Sequence, residues 1–207
     1  MLLDAHVVGG YTATIGGDCA ADGSITLAAG DDKTCTITND DKAAKLIVIK
    51  HVINDNGGTA VAADFTLDSG GANDSPDNFP GAEAPGTEVT LDAGAYNVTE
   101  TGPSGYTASF SADCSGNIAN GESKTCTVTN NDISPTLRVI KDLVPDNDTG
   151  LFNLRIDGAT AGTGANVGDG GTTGFVPVNA GNHTVSETAG TNTTLSDYVT
   201  VIGGDCA

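Results

Sequence analysis

Tryptophan is absent from the 207 residues, which include only five Phe and four Tyr. Any core must therefore be made mainly of Val, Ile, Leu and Ala, side chains that suit thin, sandwiched sheets. The three histidines, His6, His51 and His183, are scattered. No Ser/His/Asp or Cys/His constellation, phosphate loop or paired-carboxylate cleft forms around them, so turnover chemistry has no support and an enzyme is not expected. Positive charge is scarce: eight Lys and Arg stand against 27 Asp and Glu, a formal net charge of -19. Such a surface repels phosphate backbones and anionic lipid, so nucleic acid is not an expected partner. No apolar run reaches membrane-spanning length, and the opening MLLDAHVVGG lacks both a basic n-region and a long h-region. No membrane insertion is expected in this segment, and an export signal would lie on a longer precursor. Windows of helical apolar spacing free of Gly, Thr or Pro are missing too.

What remains is short apolar runs such as KLIVIK, EVTLD and TCTVTN between Gly, Asn, Asp and Pro clusters, the pattern of strands and turns. Three phrases recur in fixed order. An opening strand with a Lys appears as LIVIKHVINDN from Leu46 and LRVIKDLVPDN from Leu137. A Gly-led strand ending in Glu appears as GAYNVTET from Gly94 and GNHTVSET from Gly181. A Tyr-to-Cys strand followed by a closing Cys strand appears as YTATIGGDC...KTCTITND from Tyr11 and YTASFSADC...KTCTVTNND from Tyr106, and the chain stops on a third copy of its first half, YVTVIGGDCA from Tyr198.

The expected fold is all-β: tandem small antiparallel β-sandwich modules, prealbumin- or immunoglobulin-like, one complete and two partial. Residues 1–42 would be the C-terminal part of one module, 43–134 a complete module, and 135–207 the N-terminal part of a third that lacks its closing strand. The complete module should have strands at 44–51, 61–68, 86–92, 94–100, 105–112 and 123–130, with a weak one near 117. The simplest account of the terminal half-module is a longer tandem array. A domain-swapped, head-to-tail filament is the alternative, with the difficulty that donor and acceptor would both carry a Tyr-to-Cys strand.

Cys19 with Cys35, and Cys114 with Cys126, flank equivalent loops, which reads as two hairpin-closing disulfides and leaves Cys206 unpaired or intermolecular. A metal site fits less well, with two thiols per module and no nearby CxxC. Closing loops this short contributes about 3 kcal/mol each in the chain-entropy model. Disulfides also place the protein outside the cell or at its surface.

Strand parity adds a chemical clue, because alternate residues face opposite sides. If Arg138 points to solvent, Leu137, Val139 and Lys141 point inward, and Lys50 shares its face with Leu46 and Val48. Tyr96, Val98 and Glu100 form another inward set, matched by His183, Val185 and Glu187. Cys126, Val128 and Asn130 form the third, matched by Cys35, Ile37 and Asn39. Each module thus sends a Lys, a Glu and an Asn toward its core. One reading is a solvated Lys/Glu salt bridge with a turn-capping Asn. The other is a self-formed isopeptide bond, in which desolvation yields a neutral Lys amine and a protonated Glu polarises the Asn carboxamide.

The order of a VxxK-type opening strand, a VTE strand followed by GPSGY, and a closing VTN resembles the collagen-adhesin B-type repeats and related pilin domains of bacterial surface proteins, which have a prealbumin-like sandwich fold. In that family the first-strand Lys and last-strand Asn are often joined by an isopeptide bond promoted by the Glu. The resemblance implies Lys50, Glu100 and Asn130 in the middle module, and Lys141 and Glu187 in the following one, with an Asn39-like residue supplied by another copy.

NDNGG at Asn54–Gly58 and DNDTG at Asp146–Gly150 look like fragments of calcium loops, with Asp55, Asp146 and Asp148 as weak ligand candidates, but an Asx-rich turn fits them better. Asn73, Asn97, Asn147, Asn182 and Asn192 begin N-x-S/T triplets of a kind that arises by chance in such a composition. No cofactor is expected. The expected function is a structural repeat of an extracellular stalk, adhesin shaft or filament whose partners are further copies of the module. The alternative is an adhesive module whose loop at 69–85, SGGANDSPDNFPGAEAP, holds a glycan or protein ligand.

Overall fold

A computed structural model describes residues 9–206; His6 and the other termini lie outside the described residues. The chain is all-β with a few short 3-10 turns, and it divides into two compact units: residues 1–53 with 60–131, and residues 54–59 with 132–207.

The first unit begins with a two-stranded ribbon, β1 (Tyr11–Gly17) and β2 (Cys35–Asp41), followed by β3 (Ala44–Ile53), β4 (Thr66–Asp68), β5 (Phe79–Pro80), β6 (Thr87–Leu91), β7 (Gly94–Asn97), β8 (Thr99–Thr101), β9 (Tyr106–Phe110), β10 (Ser115–Ile118) and β11 (Ser123–Asp132). A four-stranded sheet in the order β6-β3-β11-β9 is complemented by the sheet β5-β4-β8 and the pair β10-β7. Their inward residues, among them Leu46, Leu67, Val89, Tyr96 and Val128, form one apolar core. Alternation sets the phase of β3, where Ala44, Leu46, Val48 and Lys50 are all fully buried while Lys45 and His51 face water.

Three details differ from the sequence reading. The central pair β3 and β11 is parallel, not antiparallel, with Lys45 opposite Ser123 and Val52 opposite Asn130. First and last strands of a module can run side by side in one direction because the whole module serves as the crossover between them. The strand expected at 61–68 begins instead as a 3-10 turn, Ala62–Asp64, because the Asp64 carboxylate accepts the Val61 N–H at 2.8 Å. The strand expected at 94–100 divides at Val98, whose N–H donates to the Cys114 carbonyl, so that β7 pairs with β10 and β8 with β4.

The second unit contains β12 (Thr136–Leu137), β13 (Phe152–Ile156), β14 (Ala159–Thr160), β15 (Val176–Pro177) and β16 (Val185–Ala189), paired as β14-β13-β16 and β12-β15. Phe152, Leu154 and Ile156 of β13 point into its core beside Leu143. The Tyr-to-Cys phrase that forms β9 in the first unit is not a strand here: Val199 and Val201 are 93% and 85% exposed.

Candidate functional site: a buried lysine, glutamate and asparagine

Lys50 has no exposed surface at all, and few environments tolerate a buried ammonium. β3 carries it in from one side, β8 supplies Glu100, and β11 supplies Asn130. Nζ donates to Asn130 Oδ1 at 2.7 Å, and Asn130 Nδ2 donates to Glu100 Oε1 at 2.7 Å. Glu100 Oε2 lies 3.2 Å from Nζ at an angle that makes no hydrogen bond, and this buried oxygen has no hydrogen-bonding partner. Burial pushes the Lys50 amine below the usual lysine range, against the opposing pull of the Glu100 carboxylate. The three groups selected by strand parity are therefore brought together.

An aromatic wall that parity did not reveal completes the pocket. The Phe65 ring, 1% exposed, lies under Nζ at 4.2 Å to its centroid, and Tyr106 meets Phe65 edge-on at 5.6 Å. A ring face both attracts a cation and excludes the water that would solvate it. Two glycines let the walls close: a Cβ at Gly81 would fall 2.7 Å from Lys50 Cγ, and one at Gly102 would strike the Phe65 ring. The available signal was the F-x-L phrase in DFTLD, repeated as LFNLR at Phe152.

The second unit repeats most of this arrangement. Lys141 Nζ donates to Glu187 Oε2 at 2.8 Å and lies 4.0 Å from the Phe152 ring centroid, and Tyr198 meets Phe152 edge-on at 4.9 Å. Among the described residues no carboxamide bonds to Lys141 or Glu187. Asn39, the expected equivalent of Asn130, lies on β2, every residue of which is exposed, so the set Cys35, Ile37 and Asn39 faces no core within the chain.

Disulfides join Cys19 to Cys35 and Cys114 to Cys126, and Cys206 is free and exposed. The second bridge is part of the core, with Cys114 and Cys126 at 3% and 0% exposure.

The calcium candidates are engaged in turns. Asp55 accepts from Asn56 Nδ2, and Asp148 accepts from Gly150 N–H and the Tyr198 hydroxyl. Asp55, Asp146 and Asp148 all lie outside the one group of three potential ligands found among the described residues, Asp68, Asp74 and Asp77. Those three lie in or beside the loop at 69–85, which is tied down by buried Ser69 and Phe79 and by a β-bridge from Ser75 to Thr90. His183 donates through Nδ1 to Asp157 and through Nε2 to the Asn179 carbonyl, both at 2.6 Å. The Asn179 carbonyl and the Asp157 carboxylate raise its pKa, and with both nitrogens donating it has no lone pair for general-base work.

The first unit thus contains a β-sandwich whose strands β3 and β11 meet over a buried Lys, Glu and Asn. Residues 41–137 match the family model of a prealbumin-like fold domain, so the resemblance carried by the VTE, GPSGY and VTN phrases holds for this segment. No curated protein matches the chain. Among the described residues, no helix is long and apolar enough to cross a membrane.

Proposed function

We propose that the chain is part of a tandem array of prealbumin-like modules that bears load in an extracellular stalk, adhesin shaft or filament, and that Lys50 and Asn130 become joined by an amide bond. The observation that carries this reading is the Lys50, Glu100 and Asn130 cluster, water-excluded and within 3.2 Å at every link. A salt bridge alone does not need burial, and a buried pair gives no net stability over apolar residues of the same volume. Burial does serve a nucleophile, since it yields a neutral amine.

The chemistry balances without a cofactor. Proton transfer from Nζ to Glu100 leaves an amine and a carboxylic acid. The Asn130 carboxamide turns over, so that Oδ1, which here accepts from Nζ, meets the acid that polarises it, and Nζ attacks Cγ. Glu100 relays a proton from Nζ to Nδ2, the Cγ–Nδ2 bond breaks, and ammonia departs. This is a single maturation event and not turnover, in keeping with a structural role.

The mechanical reading follows from β3 and β11 being parallel neighbours. Tension entering at Ala44 and leaving at Asp132 shears the pair along its length, and a bond between Lys50 and Asn130, 80 positions apart, carries the load past the chain between them. Single-molecule extension tests this. With the Cys114–Cys126 bridge reduced, an uncrosslinked module should lengthen by about 270 Å as those residues straighten, whereas the bonded module should show no such step. A full-length step in the wild-type protein would overturn the proposal.

A further inference from the structure

The four-stranded sheet of the first unit has two edges, and they are finished differently. At β6 a β-bridge runs from Ser75 to Thr90, and Glu88 on the strand holds an ion pair with Lys45. At β9, the last strand in the order β6-β3-β11-β9, no further strand follows among the described residues. The Ser111 N–H donates to the Thr127 carbonyl and the Ser109 hydroxyl to the Thr129 carbonyl, so β9 runs antiparallel to β11 with its odd residues bonded to that strand. The backbone N–H and C=O groups of Ala108 and Phe110 therefore turn to the open edge. Thr107 through Phe110 are all exposed, Phe110 by 46%.

An open strand edge is a template for another chain, and folds that leave one usually blunt it with a charge, a proline or a bulge. The β9 sequence, YTASF, has neither charge nor proline, and the uncharged stretch extends from Thr101 to Ala112 in a chain of 27 acids and eight bases. Of the carboxylates that bound it, Glu100 is turned into the Lys50 site, and Asp113 lies in the Ala112–Cys114 turn beyond the strand. Two copies of so acidic a surface repel each other, and an edge without charges is where they can come close. The edge is also complementary to itself. A two-fold axis at Ala108, the middle of the strand, sets Ala108 opposite Ala108, Thr107 opposite Ser109 and Tyr106 opposite Phe110, so every residue of one β9 is paired. The small Ala108 side chains let the strands close at the axis, where the two backbones exchange N–H···O bonds, and the half-exposed Phe110 ring gains an aromatic residue across the strands.

We infer that the β9 edge is an interface for a second copy of this chain, whose own β9 adds antiparallel across a two-fold axis at Ala108 and joins the two four-stranded sheets into one. Strand addition of this kind takes its affinity from main-chain hydrogen bonds and its specificity from the side chains along the edge. The pairing is isologous, so at each β9 it closes at two chains. In the array proposed above it joins shafts side by side, and each further module adds another such contact between the same two shafts, so that contacts weak singly hold firmly together. Neither Lys50 nor Asn130 takes part, so the interface stands or falls independently of the amide.

The test uses the full chain with Cys206→Ala throughout, so that a disulfide through that exposed thiol cannot stand in for strand pairing. A five-residue strand pair is a small interface, so sedimentation equilibrium is followed from about 10 μM to about 1 mM, the range of weak association. The average mass should rise from one chain toward two. Ala108→Asp and Ala108→Lys each place like charges opposite one another at the axis; either alone should stay a single chain, and an equimolar mixture of the two should recover the dimer. Hydrogen exchange of the parent protein reads the same contact without those variants: the Ala108 and Phe110 amides should become protected as concentration rises, while that of Ser109, bonded to β11, should not change. A single-chain mass at about 1 mM, a mixture no more associated than its separate components, or a dimer without concentration-dependent protection at Ala108 would each overturn the inference.

Discussion

Replacing Glu100 with Gln keeps the shape of the site and removes its proton carrier. Asn130 can still be held, because the Gln carbonyl can accept the 2.7 Å bond from Nδ2. Nζ keeps its place above Phe65 but has no group to take its proton and none to protonate the leaving nitrogen. General acid–base groups contribute about 100- to 10,000-fold to such steps, so a bond complete on purification in the wild type should be undetectable or take days in the variant. The bond closes a loop of 80 residues. In the chain-entropy model that closure contributes about 4.5 kcal/mol, and its loss should lower the unfolding midpoint by at least about 18 °C for a domain of this size. The assay is intact mass after reduction, followed over time beside calorimetry. Wild type should be one ammonia light, and Glu100→Gln should have its full mass and the lower midpoint. Equal rates of ammonia loss in both proteins would refute the assignment of Glu100.

Phe65→Ala should cost about 3–5 kcal/mol by opening a cavity beside Lys50 and should slow ammonia loss by admitting water to the amine, both measurable by urea titration and mass. Replacing Cys114 and Cys126 together with Ser should cost about 3 kcal/mol from the short loop they close, read from the urea midpoint, with the Lys50 to Asn130 bond still forming. The His183 and Asp157 pair gives a pH signature. His183 is raised by the Asn179 carbonyl and the Asp157 carboxylate, so its contribution is complete below its ordinary value of 6.5 and is lost as pH rises through the elevated value. Asp157, lowered by the Thr184 N–H and by His183, contributes fully above 3.8 and loses this as pH falls through its depressed value. Stability of the second unit should therefore be greatest between those limits, and Asp157→Asn should bring the His183 midpoint down in an NMR titration.

The site was legible because a strand alternates with period two. One solvent-facing Arg138 sufficed to phase Lys141 and, through the repeat, Lys50; the polar residues beside Val98 and Val128 did the same for Glu100 and Asn130. Phe65 escaped this reasoning because its strand is only three residues long and follows a 3-10 turn, so no alternation leads up to it. Strand direction was illegible for a different reason: periodicity says which face a residue takes and nothing about which way its neighbour runs, so the parallel pairing of β3 with β11 needed the structure. Val199 to Ile202 shows the limit of local pattern. Its sequence alternates as well as that of β9, yet it forms no strand among the described residues, so alternation alone does not decide pairing.

The most direct test is the mass of the Lys50 and Asn130 peptides themselves. After reduction, alkylation and proteolysis, the account predicts a branched peptide joining the two residues, one ammonia lighter than its parts, in nearly every wild-type molecule. Recovery of both peptides unjoined and at full mass from folded protein would contradict it.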